Sequence, residues 1–236
     1  MNYDNPAARL LSILERGKTK TSTTKCRVVW EELLEVTGDS PLLMARFGKV
    51  MELPRLTITL LKEEFPEQGD MWTHWESQVN AAFMVQNMHA NWDSFINNID
   101  DHTITYLRMA SLLLQAKANT KLIADADLAS VREALNEILV EVLVTDLPDE
   151  VKKYVVRNLR KILDSIDEYK LTGALPLLDA VETTLGHAAV DRQYKTFLTD
   201  TCLGKRLLDT LASMANVVTI AVGLPQLTQA IALLAN

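Results

Sequence analysis

Four histidines and several nearby carboxylates are the side chains whose chemistry would suit a metal site or a catalytic site. His89 and Asp93 are one helical turn apart, and His102 directly follows two further aspartates. No HExxH motif and no paired Glu-x-x-His arrangement accompanies them, so neither a zinc protease nor a di-iron bundle is indicated. We expect helix-surface histidines and helix-capping aspartates, with no metal and no cofactor.

The segment Gly17-Lys18-Thr19 matches the last part of a phosphate-binding loop. The complete motif needs a glycine five residues earlier, where the chain has Ser12, and a strand in front of it. A helix is predicted there instead, so the cradle of backbone amides is missing. We therefore expect no nucleotide to bind at this position.

Nucleophilic catalysis also lacks a recognisable motif. The chain contains no G-x-S-x-G elbow, and no histidine follows an arginine at the spacing that helical ribonuclease toxins need. Cys26 could act as a nucleophile only through a tertiary contact with His89, Asp93 or His102, and sequence spacing leaves this geometry open. A structural thiol is the simpler interpretation, and we predict that the protein is not an enzyme.

The composition is that of a globular, helix-rich protein. Apolar residues make up 48% and charged residues 23% of the 236-residue chain, so disorder over its whole length is not expected. A net charge of −7 argues against general nucleic-acid binding, although residues 9–27 are locally basic and predict a solvated loop. Two cysteines cannot build a disulfide framework, and the amino terminus lacks the pattern of a secretory signal, so we expect a cytoplasmic protein.

Apolar residues recur with helical spacing along most of the chain, and no segment alternates with period two. We therefore predict an all-α fold, a bundle of about ten helices with essentially no sheet. Residues 42–51 and 54–65 give two helical segments. The aromatic stretch 71–99 predicts one long helix or two collinear helices.

Hydrophobic periodicity pauses at residues 118–127, where new capping aspartates appear. This pause predicts the domain organisation. We expect an amino-terminal helical subdomain over 1–118, a helical bundle over 119–204 and a charge-poor helical tail over 205–236.

Three acids, Asp164, Asp167 and Glu168, lie near the end of a helix that is predicted to finish near Tyr169. Negative charge at a helix carboxy terminus opposes the macrodipole. The cluster therefore indicates a cationic partner, either Lys170 or a basic surface elsewhere.

The tail carries no charged side chain after Asp209. A break at residues 223–225 divides it into two short helices, which are too interrupted for a smooth membrane span. We predict that its apolar face packs on the bundle, on a second copy or in a partner groove, with membrane insertion as an alternative. The candidate interaction residues in this tail are Leu211, Ala215, Val218, Val222, Leu227, Ile231 and Leu234.

Trp72 and Trp75 are the other candidates for a partner interface. Exposed tryptophan is enriched at binding hot spots. Their spacing also suits one buried helix face, and core packing is the preferred interpretation.

Three stretches of the carboxy-terminal half form a scaffold pattern without chemistry: Asp146-Leu147-Pro148, Tyr169 to Gly173, and Leu177-Leu178-Asp179-Ala180. An end rich in Ala, Val and Gly follows them. On these residues the carboxy-terminal half resembles all-helical bacterial proteins. The resemblance implies a role in phage defence or a related stress response.

Together these features predict a non-enzymatic helical interaction or assembly protein. It would bind a protein partner, or a second copy of itself, through the carboxy-terminal tail, with no nucleic-acid partner. The alternative is a membrane-acting effector, a latent toxin at the inner membrane whose charge-free tail enters lipid on release.

Overall fold

The computed structural model of the protein describes residues 3–118 and 120–222, without the side chains of residues 69 and 70. This part of the chain forms twelve α-helices and no strand, so the predicted all-α fold class is confirmed. The chain divides into two compact units, Met1–Asn119 and Thr120–Asn236.

Unit 1 begins with a capped helix. The Asn5 side-chain oxygen accepts a 2.9 Å hydrogen bond from the Ala8 amide, and Pro6 occupies the first helical position. A 3₁₀ helix, Pro66–Trp72, also belongs to this unit. The α-helices described in unit 1 are α1 (Pro6–Lys18), α2 (Cys26–Leu33), α3 (Ser40–Glu64), α4 (Thr73–Met84), α5 (Asp93–Ile96) and α6 (Asp101–Ala118).

Helix α3 continues through Pro54, where the sequence predicted two separate segments. Val50 and Leu53 before the proline and Ile58 after it are all buried. Proline removes one helical hydrogen bond. The burial of one continuous apolar face outweighs that loss, since tertiary packing supplies most of the stability of a helix.

The aromatic stretch 71–99 does not form one long helix, the first of the two predicted arrangements. Helix α4 ends at Met84, and a loop precedes the four-residue helix α5. This loop pairs with a segment distant in sequence: the Trp92 amide donates to the Thr24 carbonyl at 2.8 Å, and the Cys26 amide donates to the Ala90 carbonyl at 2.9 Å. Helical periodicity cannot predict such pairing, which satisfies the backbone groups that a continuous helix would have used.

Trp30 lies at the centre of the aromatic core of unit 1. Its ring makes edge-to-face contacts with Phe47, Trp92 and Phe95, at centroid distances of 4.9, 5.2 and 5.1 Å. Trp30, Trp92 and Phe95 are fully buried. The rings from α2, α3 and the segment around α5 therefore share one core.

Unit 2 is built around its last described helix. The α-helices described in this unit are α7 (Asp125–Val144), α8 (Asp149–Asp167), α9 (Tyr169–Thr172), α10 (Leu175–Gly186), α11 (Arg192–Asp200) and α12 (Cys202–Val222). Helix α12 packs against α7, α10 and α11, and its Leu207 is fully buried. A 3₁₀ helix, His187–Ala189, turns the chain between α10 and α11.

Candidate functional site

Four of the seven candidate residues of the tail lie on α12. Leu211, Ala215 and Val218 are fully buried, and Val222 is partly buried against the same core. Helices α7, α10 and α11 pack against α12. The apolar face of the described part of the tail is therefore covered by unit 2 itself. Three further candidates lie outside the described residues: Leu227, Ile231 and Leu234.

Trp72 and Trp75 lie in the core of unit 1. Trp75 is fully buried and Trp72 is 3% exposed. Neither indole nitrogen has a hydrogen-bond partner among the residues that the structure describes. Both side chains therefore contribute apolar area to the unit's interior.

Cys26 and the histidines of unit 1 do not form a metal-binding group. The buried Cys26 lies with its Sγ 3.3 Å from the Asn91 carbonyl oxygen. The His102 ring lies near His74 and Tyr106, with both centroid distances at 6.4 Å. Among the described residues, no group of three or more His, Cys, Asp or Glu side chains could hold a metal ion.

Asp100 has the helix-capping role that the sequence predicted. Its Oδ1 accepts a 2.6 Å hydrogen bond from the Thr103 amide at the start of α6, and its Oδ2 lies 3.1 Å from His74 Nε2. The Thr103 amide, with a smaller effect of His74, holds the pKa of Asp100 below its ordinary value. A capping contact accounts for this pair without any catalytic role.

A second His–Asp pair lies in unit 2. The His187 ring stacks on the Tyr154 ring with centroids 3.6 Å apart, and His187 Nε2 is 3.2 Å from Asp191 Oδ2. Asp191 also caps α11, because its Oδ1 accepts a 3.0 Å hydrogen bond from the Tyr194 amide. Burial raises the pKa of both tyrosines, most strongly that of Tyr194. The cluster is held by stacking and capping, and it fixes the turn between α10 and α11.

The basic segment 9–27 is largely neutralised by acids of its own unit. Lys18 Nζ lies 3.0 Å from Asp101 Oδ1, and Lys20 Nζ lies 2.5 Å from Glu32 Oε2. Surface ion pairs of this kind contribute little to stability. They do remove the unbalanced positive charge that the sequence shows at this end of unit 1.

A different surface of unit 2 combines apolar and basic side chains. The α7–α8 groove is an open depression with a volume of about 550 Å³ along these two helices. Its apolar lining comes from Leu143 on α7 and Val156 on α8. Its basic lining consists of Lys152, Lys153, Arg157, Arg160 and Lys161.

Two contacts fix the antiparallel arrangement of α7 and α8. Near one end, Lys152 Nζ donates to the Leu143 carbonyl oxygen at 3.3 Å. Near the other, Arg132 Nε donates to Asp167 Oδ1 at 2.7 Å, and this hydrogen bond raises the pKa of Arg132. Asp167 is one of the helix-end acids for which a cationic partner was predicted, and Arg132 is such a partner.

Helix α7 carries exposed aliphatic side chains at the groove and beside it. Leu143 is 49% exposed, and Val140, one turn earlier on α7, is 64% exposed. Both residues lie outside the buried row of α7, which contains Leu135, Ile138 and Val142. Helix α7 therefore presents apolar surface beside the groove that unit 2 does not cover.

The basic side of the groove is not neutralised by the residues that the structure describes. Arg160 and Lys161 form no ion pair with any residue in the described part of the chain. Lys153 has only a long contact, 3.6 Å, with Glu150. Among the described residues that line the groove, Asp164 is the one acid. In an acidic protein, this row of cations is a local region of positive potential.

Comparisons with protein-family models, with curated proteins and with solved structures gave no match. Within residues 3–118 and 120–222, no helix has the length and apolar character needed to cross a membrane.

The sequence does contain a signal for the groove. Lys153, Arg157, Arg160 and Lys161 follow the spacing i, i+4, i+7 and i+8, which places them on one face of a helix. The total charge hides this face because acids elsewhere in the chain outnumber the bases. The apolar edge of α7 could not be recognised as exposed without knowing which side of that helix is packed.

Proposed function

We propose that this chain is a non-enzymatic helical interaction protein, which binds a protein partner at the α7–α8 groove. The observation that carries the proposal is the position of exposed apolar Leu143 and Val140 beside cations without ion-pair partners among the described residues, Arg160 and Lys161. Covering apolar surface stabilises a complex by about 25 cal/mol per Å² before the cost of association. Complementary charge adds specificity and speeds encounter.

The groove is a better candidate for this role than the face of α12. Leu211, Ala215 and Val218 already pack inside unit 2, so a partner could reach them only if α12 left the unit. The core would then lose several fully buried side chains. Losses of this kind cost about 2 to 5 kcal/mol for each large aliphatic side chain.

No described contact favours the alternative of a membrane-acting effector over an interaction protein. Release of the described part of the tail, residues 205–222, would require the same loss of α12 from the core. A role in phage defence and a cytoplasmic location stay predictions. We propose no catalytic role, since His187–Asp191 and His74–Asp100 are both accounted for by helix capping.

Site-specific photo-crosslinking in cells of the source organism tests the proposal. The photoreactive residue replaces Val140 beside the groove and, as a matched control, Val190 of the same unit, which is also exposed. We expect a discrete crosslinked protein at Val140 that is absent at Val190 and is lost when Leu143 is changed to Asp. A crosslink pattern that is the same at both positions, or no crosslink at Val140, would contradict a protein-binding role for the groove.

A further inference from the structure

We infer that the segment bound in the α7–α8 groove is an acidic amphipathic helix of the partner, which lies along α8. This inference rests on the proposed function and adds the chemistry of the partner. It follows from the spacing of the cations, from the apolar residues beside them and from the position of Asp164.

The cations are spaced for a helix. Lys153, Arg157 and Lys161 succeed one another by one helical turn along α8, and Arg160 lies beside them. From Lys153 to Lys161 the row spans about 12 Å at a rise of about 1.5 Å per residue. Carboxylates at i, i+4 and i+8 of a second helix have the same spacing, so one acidic face would meet the whole row.

The apolar residues lie beside this row and not within it. Leu143 and Val156 line the groove, and Val140 extends the apolar edge by one turn along α7. A partner helix with Leu or similar residues at i, i+3 or i+4, and i+7 would cover them. Its acidic face must therefore adjoin its apolar face, and a helix with these two separate faces is an acidic amphipathic helix.

The position of Asp164 limits how far the acidic face of the partner helix can extend along α8. Asp164 lies one turn beyond Arg160 in the same groove. A carboxylate of the partner at that level would meet a like charge, which is unfavourable. The acidic face of the partner should therefore end before Asp164, or present a neutral or basic residue there.

The chain's own carboxy-terminal end does not match this surface. Residues 223–236 contain no charged side chain, so they offer no side-chain carboxylate to the cations. Acids on the other side of α7 are already engaged by α12: Arg206 lies 2.5 Å from Glu141 and 3.8 Å from Glu137. Charge complementarity therefore favours a separate acidic segment.

A defined peptide tests the inference on the full chain. The probe is a capped peptide of about 18 residues, long enough to form a helix. It has Leu at i, i+4 and i+7, Glu on the adjacent face and Ala elsewhere, and a control peptide carries Gln in place of every Glu. Titrations are followed in ¹⁵N–¹H spectra of the protein. We expect the largest shift changes at the amides of Leu143, Val156 and Arg160, and affinity that falls as salt screens the charges.

Charge-reversed variants assign the interaction to the groove. The double variant Arg160→Glu/Lys161→Glu should weaken binding by about tenfold. The matched control, Lys195→Glu/Lys205→Glu, makes the same change in net charge at exposed positions on α11 and α12 and should weaken it by less than about twofold. Circular dichroism of both variants checks the fold, and Arg160→Gln/Lys161→Gln gives a milder change if the reversal perturbs α8.

Several outcomes would overturn the inference. Equal affinity for the Glu and Gln peptides, or shift changes away from α7 and α8, would exclude an acidic helix as the ligand. Tighter groove-dependent binding to phosphatidylglycerol vesicles, to duplex DNA or to a second copy of the chain would assign the surface to that ligand instead. If crosslinking at Val140 captures a protein but the Glu peptide does not bind, this inference fails while the proposed function stands.

Discussion

Trp92 Nε1 donates a 2.8 Å hydrogen bond to the carbonyl oxygen of Gly17, which joins the end of α1 to the residue that precedes α5. The indole lies so close that a Cβ atom on Gly17 would be 2.9 Å from Trp92 Cζ2. Trp92 is fully buried, and its ring also contacts Trp30. Glycine is thus needed at position 17 because the Trp92 ring packs directly against it, and not because of backbone flexibility.

Replacing Gly17 by Ala should destabilise unit 1 by about 1 to 3 kcal/mol, because the added methyl group overpacks a site whose ring cannot move away. Gly48→Ala is the matched control, since Gly48 lies inside α3 and a methyl group there would meet no described atom within 4 Å. It should stabilise by about 0.5 to 1 kcal/mol. All four tryptophans belong to unit 1, so urea unfolding followed by tryptophan fluorescence reports on this unit. Equal effects of the two changes would contradict the steric role of Trp92.

In unit 2, the packing around Gly204 leaves even less space for a side chain than the packing around Gly17. A Cβ atom on Gly204 would lie 1.9 Å from the Phe197 carbonyl oxygen and 2.7 Å from Leu198 Cα, which are backbone atoms of α11. Because backbone atoms cannot rotate aside, Gly204→Ala should separate α11 from α12 and cost about 3 kcal/mol or more.

The matched control for Gly204 is Gly186→Ala, at the end of α10, where a methyl group would meet no described atom within 4 Å. This change should be neutral or slightly stabilising. Amide hydrogen exchange in α12 measures the effect within unit 2 alone. Protection of α12 that is unchanged in Gly204→Ala would show that the two helices can separate without loss of the core.

The fold class could be predicted because the signals are local. Pro6 and Asn5 begin a helix through capping chemistry that the sequence displays directly. Apolar spacing in α8 likewise fixes its buried row, including Val155, Leu159 and Ile162. Such features depend on residues within one or two turns of each other, so no tertiary information is needed.

The loop between α4 and α5 could not be predicted for the opposite reason. Its backbone bonds to Thr24 and Cys26 join residues far apart along the chain. The aromatic residues that suggested one helix instead reach a shared core from several elements, since Trp92 and Phe95 both contact Trp30. Periodicity identifies which side chains are buried, but not which element buries them.

The predicted interaction residues show the same limit of sequence periodicity. The sequence predicts Leu211, Ala215 and Val218 as interaction residues because they are apolar and lie in a segment poor in charge, yet all three are fully buried. Apolar residues that stay exposed, such as Val140 and Leu143, look no different in the sequence. Only the packing of α7 decides which apolar residues remain accessible to a partner.

Tyr154 and Tyr194 allow a comparison of two hydroxyl groups in one cluster. Tyr154 Oη donates a 3.0 Å hydrogen bond to the Thr183 carbonyl, whereas the buried Tyr194 Oη has no partner among the described residues. Tyr154→Phe should therefore cost about 1 kcal/mol. Tyr194→Phe should be neutral or stabilising by up to about 1 kcal/mol, because it removes an unpaired buried hydroxyl and keeps the ring.

Chemical unfolding followed by far-ultraviolet circular dichroism, with hydrogen exchange to assign the change to unit 2, measures both tyrosine variants. A loss of stability in Tyr194→Phe as large as that in Tyr154→Phe would mean that the Tyr194 hydroxyl has a partner, such as a bound water molecule.

The carboxylate of Asp191 should make unit 2 sensitive to acid. The hydrogen bond from the Tyr194 amide, with further effects of the Gln193 amide and of His187, holds the pKa of Asp191 below its ordinary value. A carboxyl group whose pKa is lower in the folded state stabilises the fold above its unfolded pKa. This contribution is lost as the pH falls through the folded pKa.

The variant Asp191→Asn keeps a side-chain oxygen that can cap α11, but it removes the charge. We expect wild type to be the more stable protein near pH 7, and the difference to shrink as the pH falls below about 4. Unfolding free energies of both proteins across this range, with exchange of α11 and α12 amides as the local measure, give the comparison. Curves that stay parallel down to about pH 2 would show that the charge of Asp191 contributes nothing and that its role is hydrogen bonding alone.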